Sequence, residues 1–296
     1  MNAKVLFPTK WVSRLLAGAV ALPLITTGFS GPAWAITGGE VDENNTYSNV
    51  GAVVWLPPDG SGPSVGCSGI LIHPRVLLTA GHGTIFPEEN PWVIPLSFVS
   101  FGTNALDPST WHEVQTVITH PNYNPLAWNQ SCNDVGVIIL KRPVRIRKVP
   151  LAKLPDEGFL DDLKTAGLLR EPGQGGVPFI VAGYGSTGNW PPQPPPEVVP
   201  VDGLRRFAHS DYLALSPGWL YTLMNPATGN GGTGYGDSGG PAFWVKPDGT
   251  LVLVALTGHG DPNLVAINVA WRVDLPETLD FIDWVINTVL PSLPRH

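Results

Sequence analysis

Cysteine is nearly absent from this 296-residue chain, which holds only Cys67 and Cys132. At most one intrachain disulfide can form, so a disulfide scaffold is excluded and a packed core must carry the stability. Charge is also scarce, at 14% of residues, and it leans negative, with 17 Lys and Arg against 24 Asp and Glu. A chain without a basic surplus lacks the surface that a phosphate backbone requires, so nucleic acid is not an expected partner. No apolar run reaches the roughly 20 residues of a membrane-spanning helix. There is no HExxH motif and no Cys/His cluster, and His73, His112, His120, His209 and His296 lack ligand-like spacing. Neither a metal nor a cofactor is expected.

What the chain has in plenty is glycine (34), proline (32) and apolar residues (43%). The apolar runs are short and bounded by turn residues, as in "VGAVVWLPPDG", "CSGILIHPRVLLTAGHG", "DVGVIILKRP" and "GTLVLVALTGHG". That pattern predicts an all-β fold. Only the end, "LPETLDFIDWVINTVL", reads as a helix. There Leu279, Ile282, Val285, Ile286 and Val289 recur at helical spacing between Pro276 and Pro291. No short-period repeat is present.

Residues 1–35 read as a secretory signal. Lys4, Lys10 and Arg14 give a positive start, Leu15 to Ile25 an apolar stretch, and Ala33-Trp34-Ala35 a small-x-small cleavage site. Cleavage there leaves residues 36–296, with 14 basic against 24 acidic residues and a net charge of −10. The expected product is secreted, extracellular or periplasmic, and off the membrane. Its new first residues are Ile36-Thr37-Gly38-Gly39.

Three segments could carry chemistry: "LLTAGHG" with His82, "CNDVGVIIL" with Asp134, and "GYGDSGGP" with Ser238. A serine hydroxyl is a weak nucleophile and needs a base within hydrogen-bond reach, which in turn needs an orienting acceptor. Histidine suits the base because it titrates near neutrality. A buried Asp can hold its tautomer and stabilise the imidazolium. An oxyanion needs inward-pointing backbone N–H groups, and such a turn favours glycines like Gly236, Gly239 and Gly240. Each piece alone is ambiguous. A lone His is commonly a packed or surface residue, the Asp could be a strand-entry turn residue, and GDSGG also satisfies the G-x-S-x-G elbow of α/β-hydrolases. The joint order His82, Asp134, Ser238 lifts the set.

On these motifs, with Ile36-Thr-Gly-Gly, "CSGILI…VLLTAGH", "HPNYN" at 120–124, "VAGYG" at 181–185 and the closing helix, the chain resembles the chymotrypsin/trypsin family of serine proteases over most of residues 36–290. The resemblance implies two antiparallel six-stranded β-barrels with the site between them, followed by a C-terminal α-helix. The N-terminal barrel would span about 36–148, the C-terminal barrel about 176–275 and the helix about 277–290. It implies a peptide-bond hydrolase, expected as a monomer, acting on protein or peptide substrates. His82 would be the general base, Asp134 the orienter and Ser238 the nucleophile, with the N–H groups of Gly236 and Ser238 as the oxyanion hole. Thr257 would place its hydroxyl near Asp134. The freed α-amino group of Ile36 would pair with Asp237, so signal cleavage itself would mature the enzyme.

The departures from the family bear on specificity and bridges. Cys67 faces a family partner position that here is Gly83, and Gly234 stands where the family commonly has Cys. Cys67 is expected as a free thiol, with a Cys67–Cys132 bond the alternative. Residue 232, where trypsin-like members selective for Arg or Lys carry Asp, is Gly. The specificity pocket is expected to involve Gly232, Thr233, Thr257, Gly258 and His259. His259 could bind an acidic substrate residue together with Thr233, fill the pocket, or turn to solvent. Two other readings stand beside the protease: a catalytically weak homologue acting as a binding protein, and an α/β-hydrolase using Ser238 with Asp248 and His259. "NWPPQPPPEVVP", Asn189 to Pro200, reads as a stiff surface loop or a polyproline ligand.

Overall fold

The structure is a computed structural model that describes residues 36–127, 131–186 and 201–294. The expected signal segment, residues 1–35, and the proline-rich stretch, Asn189 to Pro200, lie outside the described residues.

The first sheet is a closed barrel. Its strands are β2 (Val50–Trp55), β3 (Ser64–His73), β4 (Val76–Thr79), β5 (Ser97–Ser100), β6 (Trp111–Thr119) and β7 (Gly136–Leu140), joined in the order β2-β3-β4-β7-β6-β5. A preceding two-residue strand, β1 (Glu40–Val41), belongs to the other sheet, where it pairs with Phe207 and Arg206. The expected start of the first barrel at residue 36 therefore moves to about residue 50. Strand β7 is buried along its whole length. This explains why "GVIIL" reads as an unbroken apolar run rather than an alternating one.

The second sheet departs from expectation. Among the described residues it has eight strands in the order β1-β9-β8-β12-β13-β14-β11-β10, without the closure seen in the first sheet. Its later strands are β8 (Phe179–Gly183), β9 (Arg206–Ser210), β10 (Tyr212–Leu215), β11 (Trp219–Leu223), β12 (Pro241–Val245), β13 (Leu251–Gly260) and β14 (Ile267–Arg272). Only Asp211 separates β9 from β10, although these strands lie toward opposite ends of the ladder. The sheet must therefore curl until its ends approach. At the junction the Asp211 N–H is taken by the Asn230 side chain (2.7 Å) rather than by a strand, which leaves the ring open there.

Helices are more numerous than the periodicity suggested. The closing helix α3 (Pro276–Trp284) starts at its proline and continues through a π-helical turn, Val285–Val289, burying Phe281, Ile282 and Val285. Two short helices were not legible: α1 (Gly81–Glu89), which contains His82, and α2 (Phe159–Thr165). Helix α2 falls in the stretch 148–176 expected to divide the barrels. Its Leu160 and Leu163 pack into the same core cluster as Ile36 and Phe179. No helix among the described residues is long and apolar enough to cross a membrane.

Candidate active site

His82 sits in the first turn of α1, directly after β4. The helix has no side-chain cap of its own, and Asp134 supplies one from a distant part of the chain. Its Oδ1 accepts from the His82 backbone N–H at 2.8 Å. The same carboxylate meets the ring, with His82 Nδ1 2.9 Å from Oδ2 and 3.1 Å from Oδ1. One fully buried Asp thus caps the start of a helix and orients an imidazole at once. Its position follows from Asn133, whose φ of +49° is in the left-handed region that Asn tolerates. The Asn133 side-chain amide locks that turn by donating to the Asn122 and Ser131 carbonyls. The far end of α1 is held to β6, where Thr84 bonds Thr119 (2.9 Å) and Glu88 accepts the Thr119 N–H (2.8 Å).

Ser238 lies in the loop before β12. Its carbonyl accepts from the Ser68 N–H of β3 at 2.9 Å. Gly239 packs so closely on β4 that an added Cβ would stand 2.4 Å from the Ala80 nitrogen, two residues before His82. The loop is thereby pressed against the strand that presents the histidine. Among the described residues no hydrogen bond joins the Ser238 hydroxyl to His82, and catalytic hydrogen bonds are often long without substrate. Within the loop the N–H groups of Asp237, Gly239 and Gly240 donate to Gly234, Thr257 and Asp237 carbonyls. Those of Gly236 and Ser238 have no acceptor among the described residues. Gly236 holds φ at +96°, a conformation open to glycine and strained for other residues. Sequence reasoning missed Ser68, a buried serine that stitches this loop to the first barrel. Its Oγ donates to the Gly236 carbonyl (3.0 Å) and accepts the Tyr184 N–H (3.1 Å). A serine inside a strand carries no signal that could have revealed this.

Asp237 is fully buried. Its carboxylate accepts from the N–H groups of Gly185 (2.7 Å) and Gly234 (2.8 Å). Burial outweighs those bonds and the more distant Arg206 charge, and it raises the Asp237 pKa to about 7. Ile36 is also fully buried, with φ at +56°, an uncommon value for a β-branched residue. Next to it the Thr37 carbonyl accepts the Gly232 N–H at 2.9 Å, which lays the segment against the loop leading to Asp237.

The pocket residues are placed unevenly. A cavity of about 270 Å³ beside Ser238 is lined by Thr233, Thr257, Gly258 and His259, among others. Gly232 does not line it and lies behind, against Met224 and Asn268. Among the described residues no hydrogen bond joins Thr257 to Asp134. A β-bulge sets His259: Thr257 pairs with Ala270, His259 with Val269 and Gly260 with Asn268, so Gly258 is the extra residue. The imidazole stands edge-on to Trp219 with ring centres 5.1 Å apart. Desolvation lowers its pKa, the Asp134 charge opposing and the His82 charge adding to the shift. Trp219 fills the space above Gly258, where an added Cβ would meet its ring at 2.6 Å.

Both cysteines are free thiols, each pushed up to about 12 chiefly by burial. Cys67 Sγ faces Gly83, 2.7 Å from where a Cβ would be. A Cβ at Gly234, where the family commonly has Cys, would stand 2.2 Å from the Ser186 carbonyl oxygen and 3.2 Å from Leu264. Among the described residues no three His, Cys, Asp or Glu side chains form a group able to hold a metal.

His82 and Asp134 lie on a closed barrel and the glycine-flanked Ser238 on a second, curled sheet, an all-β arrangement consistent with a trypsin-like fold. The family model described as Trypsin matches residues 58–284, and the chain belongs to that family. Human kallikrein-12 is 29% identical over 205 residues, 67% of this chain and 73% of that protein. A trypsin of Saccharopolyspora erythraea is 29% identical over 127 residues, 43% of this chain and 51% of that protein. Rat vitamin K-dependent protein C is 30% identical over 106 residues, 34% of this chain. The chain spans about a fifth of protein C and half of the bacterial trypsin. Family membership supports a serine-protease function.

Proposed function

We propose that the chain is a secreted serine endopeptidase working through an acyl-enzyme on Ser238. The observation that carries this is the two-point grip of buried Asp134 on His82, through backbone and ring together. His82 Nδ1 faces the carboxylate, which leaves Nε2 to take the Ser238 proton as the hydroxyl attacks the scissile carbonyl. The developing oxyanion is met by the Gly236 and Ser238 N–H groups, which have no other acceptor among the described residues. His82 then protonates the leaving amine, and water repeats the sequence to release the acid. The enzyme acts as a monomer on protein or peptide substrates.

Maturation belongs to the same reading. In the uncleaved chain the Ile36 nitrogen is an amide and cannot neutralise Asp237. Signal cleavage after Ala35 makes it an ammonium, able to pair with the buried carboxylate and relax the backbone strain at Ile36. Export alone then activates the protein. Intact mass of the exported chain, with and without a fluorophosphonate, tests both parts. The expected result is a chain starting at Ile36 that gains one adduct, lost in Ser238→Ala. A chain starting at Ile36 that gains none would favour an inactive, binding homologue. A fully active chain with any other N-terminus would overturn maturation by export.

A further inference from the structure

Charge is spread unevenly along this acidic chain. Residues 135–155 hold six Lys or Arg and no Asp or Glu, and five of the six fall in the stretch "KRPVRIRK", Lys141 to Lys148. That stretch follows β7 and is pinned to the closed barrel. The Val144 N–H donates to the Pro74 carbonyl (2.7 Å), and the Arg145 carbonyl accepts from the N–H groups of Lys148 (2.9 Å) and Val149 (3.2 Å). Val144 itself is buried in the barrel core. Lys141 pairs with Glu113 at 3.3 Å, whereas Arg142, Arg145, Arg147 and Lys148 are exposed and form no ion pair among the described residues. Arg142, Arg145 and Lys148 line a groove of about 540 Å³, together with apolar Phe101, Val144 and Val149, and no carboxylate among the described residues lines it. We propose that this groove is a docking site, separate from the Ser238 cavity, for an acidic peptide segment that carries an apolar side chain among its carboxylates.

Each part of the match has a physical reason. A guanidinium presents a planar fork that takes a carboxylate through two N–H bonds, and Arg142 and Arg145 have no such partner within the chain. Because the turn is already fixed by its backbone bonds, little order is lost when a peptide binds it. The apolar wall favours a hydrocarbon side chain, which a sulfated sugar or a bare phosphate lacks. A nucleic acid or an anionic membrane would run past the patch, beyond the roughly 10 Å over which charges act at 0.1 M salt. There it would meet the rest of residues 36–296, which holds all 24 Asp and Glu. The groove shares no lining residue with the Ser238 cavity. Asp134 precedes β7 and the basic turn follows it, so the strand's five residues, roughly 17 Å, lie between them. A peptide held in the groove leaves the Ser238 cavity free.

The test reads binding rather than turnover, so it stands whether or not the protein is a protease. Exported chain carrying Ser238→Ala, which cannot cut a probe, is titrated into a fluorescent peptide that repeats Glu-Glu-Leu. Expected is a Kd on the order of 10 μM at low salt, weakening about tenfold or more at physiological salt. The same peptide with Gln for Glu, or with Gly for Leu, should bind at least about tenfold more weakly. Arg142→Glu, Arg145→Glu and Lys148→Glu together should weaken the Glu-Glu-Leu peptide at least about thirtyfold. Where that chain fails to fold, the neutral set Arg142→Gln, Arg145→Gln and Lys148→Gln should weaken it about tenfold. A heparin-type oligosaccharide, a single-stranded oligonucleotide and phosphatidylserine vesicles compete for the site. No binding of the Glu-Glu-Leu peptide overturns the proposal, as does a glycine peptide that binds equally well. Tighter binding of any competitor, or folded variants that bind like the parent, overturns it too.

Discussion

The barrel formed by β2 to β7 closes on itself, whereas the eight-stranded ladder does not, and each carries a different half of the site. His82 and Asp134 sit on the closed barrel, and the hydrogen bonds that hold His82 to Asp134 and fix the turn at Asn133 lie within residues 82–134. Ser238 sits on the open ladder, whose loop takes support from outside it: Ser68 from the barrel, and Thr37 from the N-terminal segment. The comparison teaches that the base and its orienter are held by contacts within the first barrel and its loops, whereas the nucleophile loop draws contacts from two other parts of the chain. In that loop burial raises the Asp237 pKa to about 7.

The largest break in this comparison is chemical. Ser238→Ala or His82→Ala should each lower turnover on a cleavable peptide amide by about a millionfold. Both variants should leave the thermal unfolding midpoint within a few degrees of the parent.

Next comes the join between the two sheets. Arg205 is fully buried and bonds Asp42 (2.9 Å), Asn45, the Tyr184 hydroxyl (2.9 Å) and the carbonyls of Val50 and Phe101. It touches the entry segment, the barrel and the second sheet at once. Arg205→Ala strands the Asp42 carboxylate and should cost about 3–5 kcal/mol in denaturant unfolding. A loss below about 1 kcal/mol would show that the sheets hold together without it.

The pH dependence of the uncleaved chain sharpens the contrast further. A chain that keeps Ala35, made with Ser238→Ala to block self-cleavage, holds a proton on Asp237 that the unfolded chain releases above 3.8. Its stability is full below about pH 4 and falls as pH rises through about 7, by up to roughly 4 kcal/mol. Asp237→Asn should flatten that part of the profile, and the same chain starting at Ile36 should show a shallower fall because its ammonium compensates. Equal slopes in cleaved and uncleaved chains would remove Ile36 as the partner.

The smallest expected effect lies in the closed barrel. Gly83→Cys puts a thiol where its Cβ meets Cys67 Sγ, near the roughly 3 Å that a disulfide keeps between those atoms. Oxidised protein should gain about 3 kcal/mol for a loop of this length. Mass spectrometry before and after reduction checks the bond, and unfolding checks the gain. The added stability should leave the pH profile of Asp237 unchanged, because the bridge acts on the other half.

Legibility in the sequence was uneven for physical reasons. Short-range demands leave short-range marks. The turn at Ser238 needs glycine at φ +96° and +77°, so Gly236 and Gly239 announce it. Strand β7 is buried on both faces, so "VGVIIL" announces it. Helix α1 left no such mark, because its nine residues include Pro87 and its cap comes from Asp134, 52 positions away. The open second ladder was equally silent, since strand partners depend on how the sheet curls rather than on any one strand.

By itself the sequence determined the mostly β class and the family, and it put forward His82, Asp134 and Ser238 as candidates, because each rests on residue types at local spacing. Only the tertiary structure decided that Gly258 bulges out and moves His259 one place along the ladder, that Ser68 reaches 168 positions to the Gly236 carbonyl, and that Asn268 lies under Thr233. Those are contacts between residues far apart in the chain. Their energy depends on geometry that exists only once both sheets are folded.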